Sequence, residues 1–160
     1  MDSITSYFND EKLQCTIVAV ATTIFIAVSI FFLFQQKVVL KGMAYAILPF
    51  SILLLAICLG VIFRTSKDIE RVTIFHKEAS GNIQLKELPR MEKVMKSFDI
   101  IKKVEVVIFI IGLILTLVFW RNELIRGVAF GLIIMSASLY IFDYISDLRG
   151  GRYVEVLKSL

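Results

Sequence analysis

Leu40-Lys41-Gly42-Met43-Ala44-Tyr45 recurs 85 positions later as Ile125-Arg126-Gly127-Val128-Ala129-Phe130: an apolar residue, a cation, a glycine, then an apolar run. Carried onward without a gap, the same offset pairs Ala46 with Gly131, Ser51 with Ser136, Arg64 with Arg149, Lys67 with Arg152, Ile69 with Val154 and Glu70 with Glu155. One register held this long marks a repeated supersecondary unit, and in membrane proteins the repeated unit is often a bundle of spans. The repeat predicts an all-α, polytopic membrane protein with four transmembrane helices arranged as two tandem hairpins.

Composition agrees. The hydrophobic share is 58% and the mean hydropathy +0.80, against about 45–50% apolar residues in soluble domains. Apolar stretches run from about Leu13 to Phe34, Gly42 to Phe63, Val104 to Trp120 and Gly127 to Ile145. Each is close to the ~20 residues that cross ~30 Å of hydrocarbon. The first stretch reads as a retained span rather than a cleaved signal peptide: Asp2, Asp10 and Glu11 make its leading segment acidic, and no small-residue cleavage site follows Phe34. The chain therefore divides into a first hairpin unit (1–63), a connection (64–103) and a second hairpin unit with a basic tail (104–160).

Charge sets the expected orientation. Ten of the eighteen Lys and Arg residues lie between Arg64 and Lys103, Lys12, Arg149, Arg152 and Lys158 lie near the termini, and only Lys37, Lys41, Arg121 and Arg126 lie in the short hairpin turns. Cationic loops are retained on the cytoplasmic side, so both termini and the 64–103 connection are expected inside and the two turns outside. The connection interleaves its ten cations with six acids, which is not the clustered basic face of a nucleic-acid binder.

From Arg64 to Ala79 no Pro or Gly interrupts the chain, and Ile69, Val72, Phe75, His76 and Ala79 recur at helical spacing. Ser80-Gly81-Asn82 reads as the break. Beyond it Pro89 suits a first helical turn, and Met91, Val94, Met95, Phe98, Ile101 and Glu105 follow at three- and four-residue steps into the third span. The expectation is a cytoplasmic helical stalk, the alternative a pair of helices lying on anionic headgroups through Lys93, Lys96, Lys102 and Lys103. Gly150-Gly151 predicts a hinge, after which Tyr153, Val154, Leu157 and Leu160 lie on the membrane or on the stalk.

Small residues mark the faces along which the spans are expected to meet: Cys15, Ala19, Thr22 and Ser29; Gly42, Ala44, Ala46, Ser51 and Cys58; Gly112 and Thr116; Gly127, Gly131 and Ser138. Lipid is as apolar as leucine, so helices in a bilayer associate by close backbone approach, for which Gly127-x-x-x-Gly131 is suited. Cys15 and Cys58 read as small core residues, since they form no C-x-x-C pair and lie in the halves of their spans expected nearest the cytoplasm.

The candidate polar site is Glu105 with Tyr140, Asp143 and Asp147. Ser136, Tyr140, Asp143 and Asp147 share one face of the fourth span, and Glu105 reaches the same level from the third. Carboxylates in or beside hydrocarbon need partners or water, and Arg64, Lys67, Lys102, Lys103 and Arg149 are at hand. They read either as interfacial ion pairs or as a proton or cation site open to the cytoplasm. The middle of all four spans is free of charge, which argues against a secondary transporter. A weaker cluster, Glu70, His76 and Glu92 with Glu78, could hold a metal or an acid–base pair on the stalk. His76 is the only histidine, however, so no metal or other cofactor is expected.

The run Arg90-Met91-Glu92-Lys93-Val94-Met95-Lys96-Ser97-Phe98, with Glu105 and Asp147-Leu148-Arg149-Gly150-Gly151-Arg152-Tyr153, resembles small bacterial four-helix inner-membrane proteins. The resemblance implies a bacterial plasma membrane and carries no catalytic motif. The expected role is an accessory, scaffolding or protective protein that binds lipid and a membrane-protein partner or a second copy of itself. The alternatives are a small dimeric transporter or lipid-handling protein with a cytoplasm-facing acidic site, and a membrane-embedded enzyme.

Overall fold

The computed structural model describes the backbone of residues 2–78 and 80–159 and the side chains of residues 5–75 and 85–159. Four helices account for it: α1 (Asp2–Phe34), α2 (Val38–Glu78), α3 (Ser80–Val118) and α4 (Glu123–Lys158). The short turns follow from local chemistry. Asn122 caps α4 by accepting from the backbone N–H groups of Leu124 and Ile125, both at 3.1 Å, and Glu123 places a negative charge in the first turn of α4. Arg126 closes this turn, its guanidinium 5.3 Å above the Trp120 ring and donating to the Trp120 carbonyl at 3.3 Å.

Helix α1 packs on α2 and α3 on α4, and the two pairs meet chiefly through α2 and α4. That seam is closed to the backbone. A β carbon on Gly42 would overlap the Leu124 carbonyl oxygen and stand 3.0 Å from Gly127 Cα, and one on Gly127 would overlap the Val39 carbonyl oxygen and stand 3.0 Å from Gly42 Cα. One turn on, a β carbon at Gly131 would lie 2.7 Å from Ala46 Cβ and 2.8 Å from the Met43 carbonyl oxygen. Numbers rise together along the two helices, so α2 and α4 run parallel. Ser51 continues the seam, its hydroxyl 3.9 Å from Met135 Sδ. The third close approach is Gly112 of α3, which lies against the Ala129 carbonyl and the Ile133 side chain of α4.

Among the described residues, three helices are long and apolar enough to cross a membrane: Thr5–Phe34, Val38–Phe75 and Glu123–Lys158. The third apolar stretch, expected over Val104 to Trp120, is shorter as a helix. α3 ends at Val118, and only 13 residues separate Glu105 from that end, a rise of about 20 Å. An exposed apolar surface follows the outer faces, through Leu13, Ile17, Val20, Ile24 and Phe31 on α1 and Val104, Val107, Ile111, Ile114 and Val118 on α3.

At the end away from the turns the tail packs on the stalk, one of the two placements expected for it, but without the expected hinge. All four helices continue into one head, whose core takes Phe8 from α1, Val72 from α2, Met91 from α3, and Tyr153 and Leu157 from α4, each at most 2% exposed. Helix α4 passes through Gly150-Gly151 without a break. The missing side chain at Gly150 serves packing instead, since Met95 Sδ would lie 2.7 Å from a β carbon there. Glycine in a helix costs about 1 kcal/mol relative to alanine, which burial of Tyr153 and Leu157 readily outweighs. Two boundaries also move. Ser80 already belongs to α3, and Pro89 therefore lies inside that helix rather than at its start. Pro49 likewise sits within α2, on an exposed face where loss of one amide donor is tolerated.

Candidate polar site between the third and fourth helices

Glu105 of α3 and Asp143 of α4 meet inside the α3–α4 hairpin. They are 4% and 9% exposed, and their carboxyl groups adjoin. Glu105 Oε2 is buried, and among the described residues no hydrogen-bond donor reaches it.

Asp147 lies one turn further along α4 and does not join them. Lys102 Nζ donates to its Oδ2 at 2.5 Å and also approaches Asp99 Oδ1 at 3.4 Å. The hydrogen bond to Asp147 holds Lys102 above the ordinary lysine value. Of the other cations expected at this depth, Arg64 and Arg149 are engaged elsewhere. Arg64 pairs with Asp68 at 2.8 Å, and Arg149 donates to the Gln14 side chain and to the Asp10 carbonyl. Among the described residues, no salt bridge reaches Glu105 or Asp143.

A groove of about 280 Å³ opens beside the pair toward the bundle's outer face, bordered by Glu105, Val106, Phe109, Ser136, Ala137, Tyr140 and Ile141. Tyr140 is exposed at its rim and stacks on Tyr144, ring centroids 6.4 Å apart. Ser136 donates to the Leu132 carbonyl of its own helix at 2.7 Å, which satisfies its hydroxyl locally. A larger crevice of about 510 Å³ runs between α1 and α4 past Leu13, Ile17, Ser138, Ile141 and Ile145, with Gln14 and Arg149 at its head end.

The first hairpin carries different groups at the matching place. Cys58 is the residue 85 positions before Asp143, and it packs in one buried cluster with Cys15 of α1. Both thiols are buried and free. Gly42, Ala46, Gly112, Gly127 and Gly131, expected as packing residues, are all buried between helices. Glu70 is exposed, Glu92 lies 3.9 Å from Lys158, and the side chain of His76 lies outside the described residues. Among the described residues no group of three or more His, Cys, Asp or Glu could hold a metal ion.

A second polar cluster lies in the head, where sequence reasoning places none. Asp68 and Glu87 are 4% and 1% exposed. Arg71 bridges them, 2.9 Å from Asp68 and 3.7 Å from Glu87, while Arg90 clamps Glu87 through two nitrogens at 3.0 and 2.5 Å. The spacings Arg64–Asp68–Arg71 and Glu87–Arg90 are the signal that could have found it, since residues three and four apart adjoin on a helix. Beside this cluster Tyr7 stacks on Tyr153, centroids 4.1 Å apart, and Arg149 covers the Tyr7 ring at 5.8 Å. This arrangement fixes the N-terminal segment of α1 to the end of α4. No protein-family model, curated protein or solved structure matches this chain.

Proposed function

We propose that this chain is a multi-pass protein of a bacterial plasma membrane that acts by binding another membrane component, as an accessory or scaffolding protein. In this reading all four helices cross, α3 with the help of Phe119 and Trp120. Units 1–63 and 104–160 are copies of one hairpin, and both termini and the 64–103 connection are cytoplasmic. The reciprocal approach of Gly42 to Gly127 and of Ala46 to Gly131 supports the duplication. Residues equivalent under the 85-position offset face one another at two successive turns, which a twofold axis parallel to α2 and α4 produces.

The observation that carries the binding role is the closed seam. Helices α2 and α4 touch through their backbones, so the two hairpins are held as one body rather than as halves free to rock about a central passage. What remains available for recognition is the lateral surface, with its grooves and apolar faces. A photo-crosslinking side chain introduced at Ile24 on α1 or Ile114 on α3, both exposed, tests this in living cells. A protein-sized adduct of defined mass from one of these faces is expected. Lipid adducts alone from both, or solute flux into vesicles containing the purified protein, would overturn the reading.

A further inference from the structure

Helices α1 and α4 are clamped together near the head. Gln14 donates to the Phe142 carbonyl at 3.3 Å and to the Ser146 hydroxyl at 3.2 Å, and it accepts from Arg149, which also donates to the Asp10 carbonyl. From this clamp the crevice of about 510 Å³ runs toward the middle of the bundle, with Leu13, Ile17, Ile141 and Ile145 exposed along it. In a membrane such a crevice is filled, because apolar walls facing a void forfeit their contacts. Its length fits one leaflet. Ser138 and Arg149, its extremes on α4, are 11 residues apart, a rise of about 16 Å, against about 15 Å for half of the hydrocarbon core.

A second hollow, of about 130 Å³, adjoins the head end of the crevice, sharing Asp10 and Arg149 with it and adding Ser6, Tyr7 and Arg152. Two of its three charged side chains are cations. Arg149 is fixed there by Gln14 and by the Tyr7 ring, 5.8 Å away. Arg152 is exposed, and among the described residues no acid pairs with it. Asp10, the opposing acid, accepts from the Ser6 hydroxyl at 3.4 Å. An unpaired cation thus stands at the headgroup end of an apolar crevice one leaflet long, a combination that an anionic phospholipid complements in both charge and length. We infer that the α1–α4 crevice holds one acyl chain of an anionic phospholipid of the cytoplasmic leaflet, with its phosphate in the hollow between Arg149 and Arg152. The chain lies against Leu13, Ile17, Ile141 and Ile145, and the second chain stays in the bilayer. The inference rests on the membrane reading above but not on any protein partner, so the two can fail separately.

The test is native mass spectrometry of the full chain, purified in mild detergent and titrated with dioleoylphosphatidylglycerol, dioleoylphosphatidylcholine or dihexanoylphosphatidylglycerol. The first should bind at least about fivefold more tightly than either of the others, fivefold being what one basic residue contributes at an anionic surface. Arg152→Gln, at an exposed position, should weaken dioleoylphosphatidylglycerol about fivefold and leave the phosphatidylcholine unchanged. Ser138→Phe, which fills the far end of the crevice and leaves both arginines in place, should bring dioleoylphosphatidylglycerol down to the level of its short-chain counterpart. If that variant does not fold, Arg152→Gln and the three lipids decide. Equal binding of the two dioleoyl lipids would overturn the inference, as would short-chain binding as tight as long-chain, or unchanged binding to a folded Arg152→Gln or Ser138→Phe protein. A protein adduct from Ile24 or Ile114 in a chain without this lipid preference would leave the scaffold reading standing.

Discussion

Gly42 and Gly127 face each other across the α2–α4 seam so closely that a β carbon on either would lie 3.0 Å from the Cα of the other, and each would also overlap a carbonyl oxygen of the facing helix. The obstructing atoms are backbone, which cannot turn aside as a side-chain end can. Gly127→Ala should therefore lower stability by about 1–3 kcal/mol, the usual cost of overpacking. Gly60, where a β carbon would meet nothing within 4 Å, is the matched control. Gly60→Ala should be neutral or stabilising by up to about 1 kcal/mol. Thermal unfolding in mild detergent checks both, and equal effects at the two positions would contradict the closed seam.

The pairing of Lys102 with Asp147 yields a pH dependence. Lys102 is held above its ordinary value of 10.5 by that hydrogen bond. A group raised in the folded state stabilises fully below its unfolded value and loses the contribution as the pH rises through the folded one. Asp147→Asn should thus cost about 1 kcal/mol or less at pH 8. The difference from the parent protein should shrink only above pH ~10.5. Unfolding curves of the two proteins across this range test the prediction, which fails if the difference already vanishes near neutrality.

In the head, the Tyr153 hydroxyl is buried without a hydrogen-bond partner while its ring packs on Tyr7 and Phe8. The hydroxyl and the ring should therefore separate on mutation. Tyr153→Phe should be neutral or stabilising, because it removes an unsatisfied polar group. Tyr153→Ala should cost about 3–5 kcal/mol through the cavity it leaves. Denaturation of the two variants side by side decides the matter, and a large loss from the phenylalanine variant would show that the hydroxyl is engaged.

Orientation is tested by labelling. With Cys15 and Cys58 replaced by Ala, single cysteines at Lys37 or Asn122 should react with an impermeant maleimide in intact cells. Cysteines at Ser97 or Ser159, all four positions being exposed, should react only after the membrane is opened. Labelling of Ser97→Cys from outside would reverse the assignment.

What is legible in the sequence divides from what is not along physical lines. Helical periodicity, the glycine repeat and the meeting of Glu105 with the Asp143 face are periodic properties of a chain, and the structure shows four helices with these residues brought together. Breaks are harder. Gly150-Gly151 and Pro89 are weak local signals of order one helix propensity, and tertiary burial of Tyr153, Leu157 and Met91 overrides them. The buried acids Asp68 and Glu87 are hidden among cations of the connection, where a solvated face and a paired interior look alike. Asp147 groups with Glu105 by depth alone. Its partner, Lys102, is set by which side of α3 faces α4, and that is a property of the packed pair.

The two hairpins share a frame but differ electrically. At the place where α1 and α2 bring Cys15 and Cys58 together, α3 and α4 bring Glu105 and Asp143. Any charge on the acid pair resides in the second hairpin, where the first has two thiols. A transmembrane voltage does about 2.3 kcal/mol of work per elementary charge per 100 mV when that charge traverses the full field. In the proposed membrane setting, any fraction of that work done at this depth falls on the α3–α4 hairpin and not on its twin. A frame built from two like halves would thus respond to voltage as an object with a single charged flank.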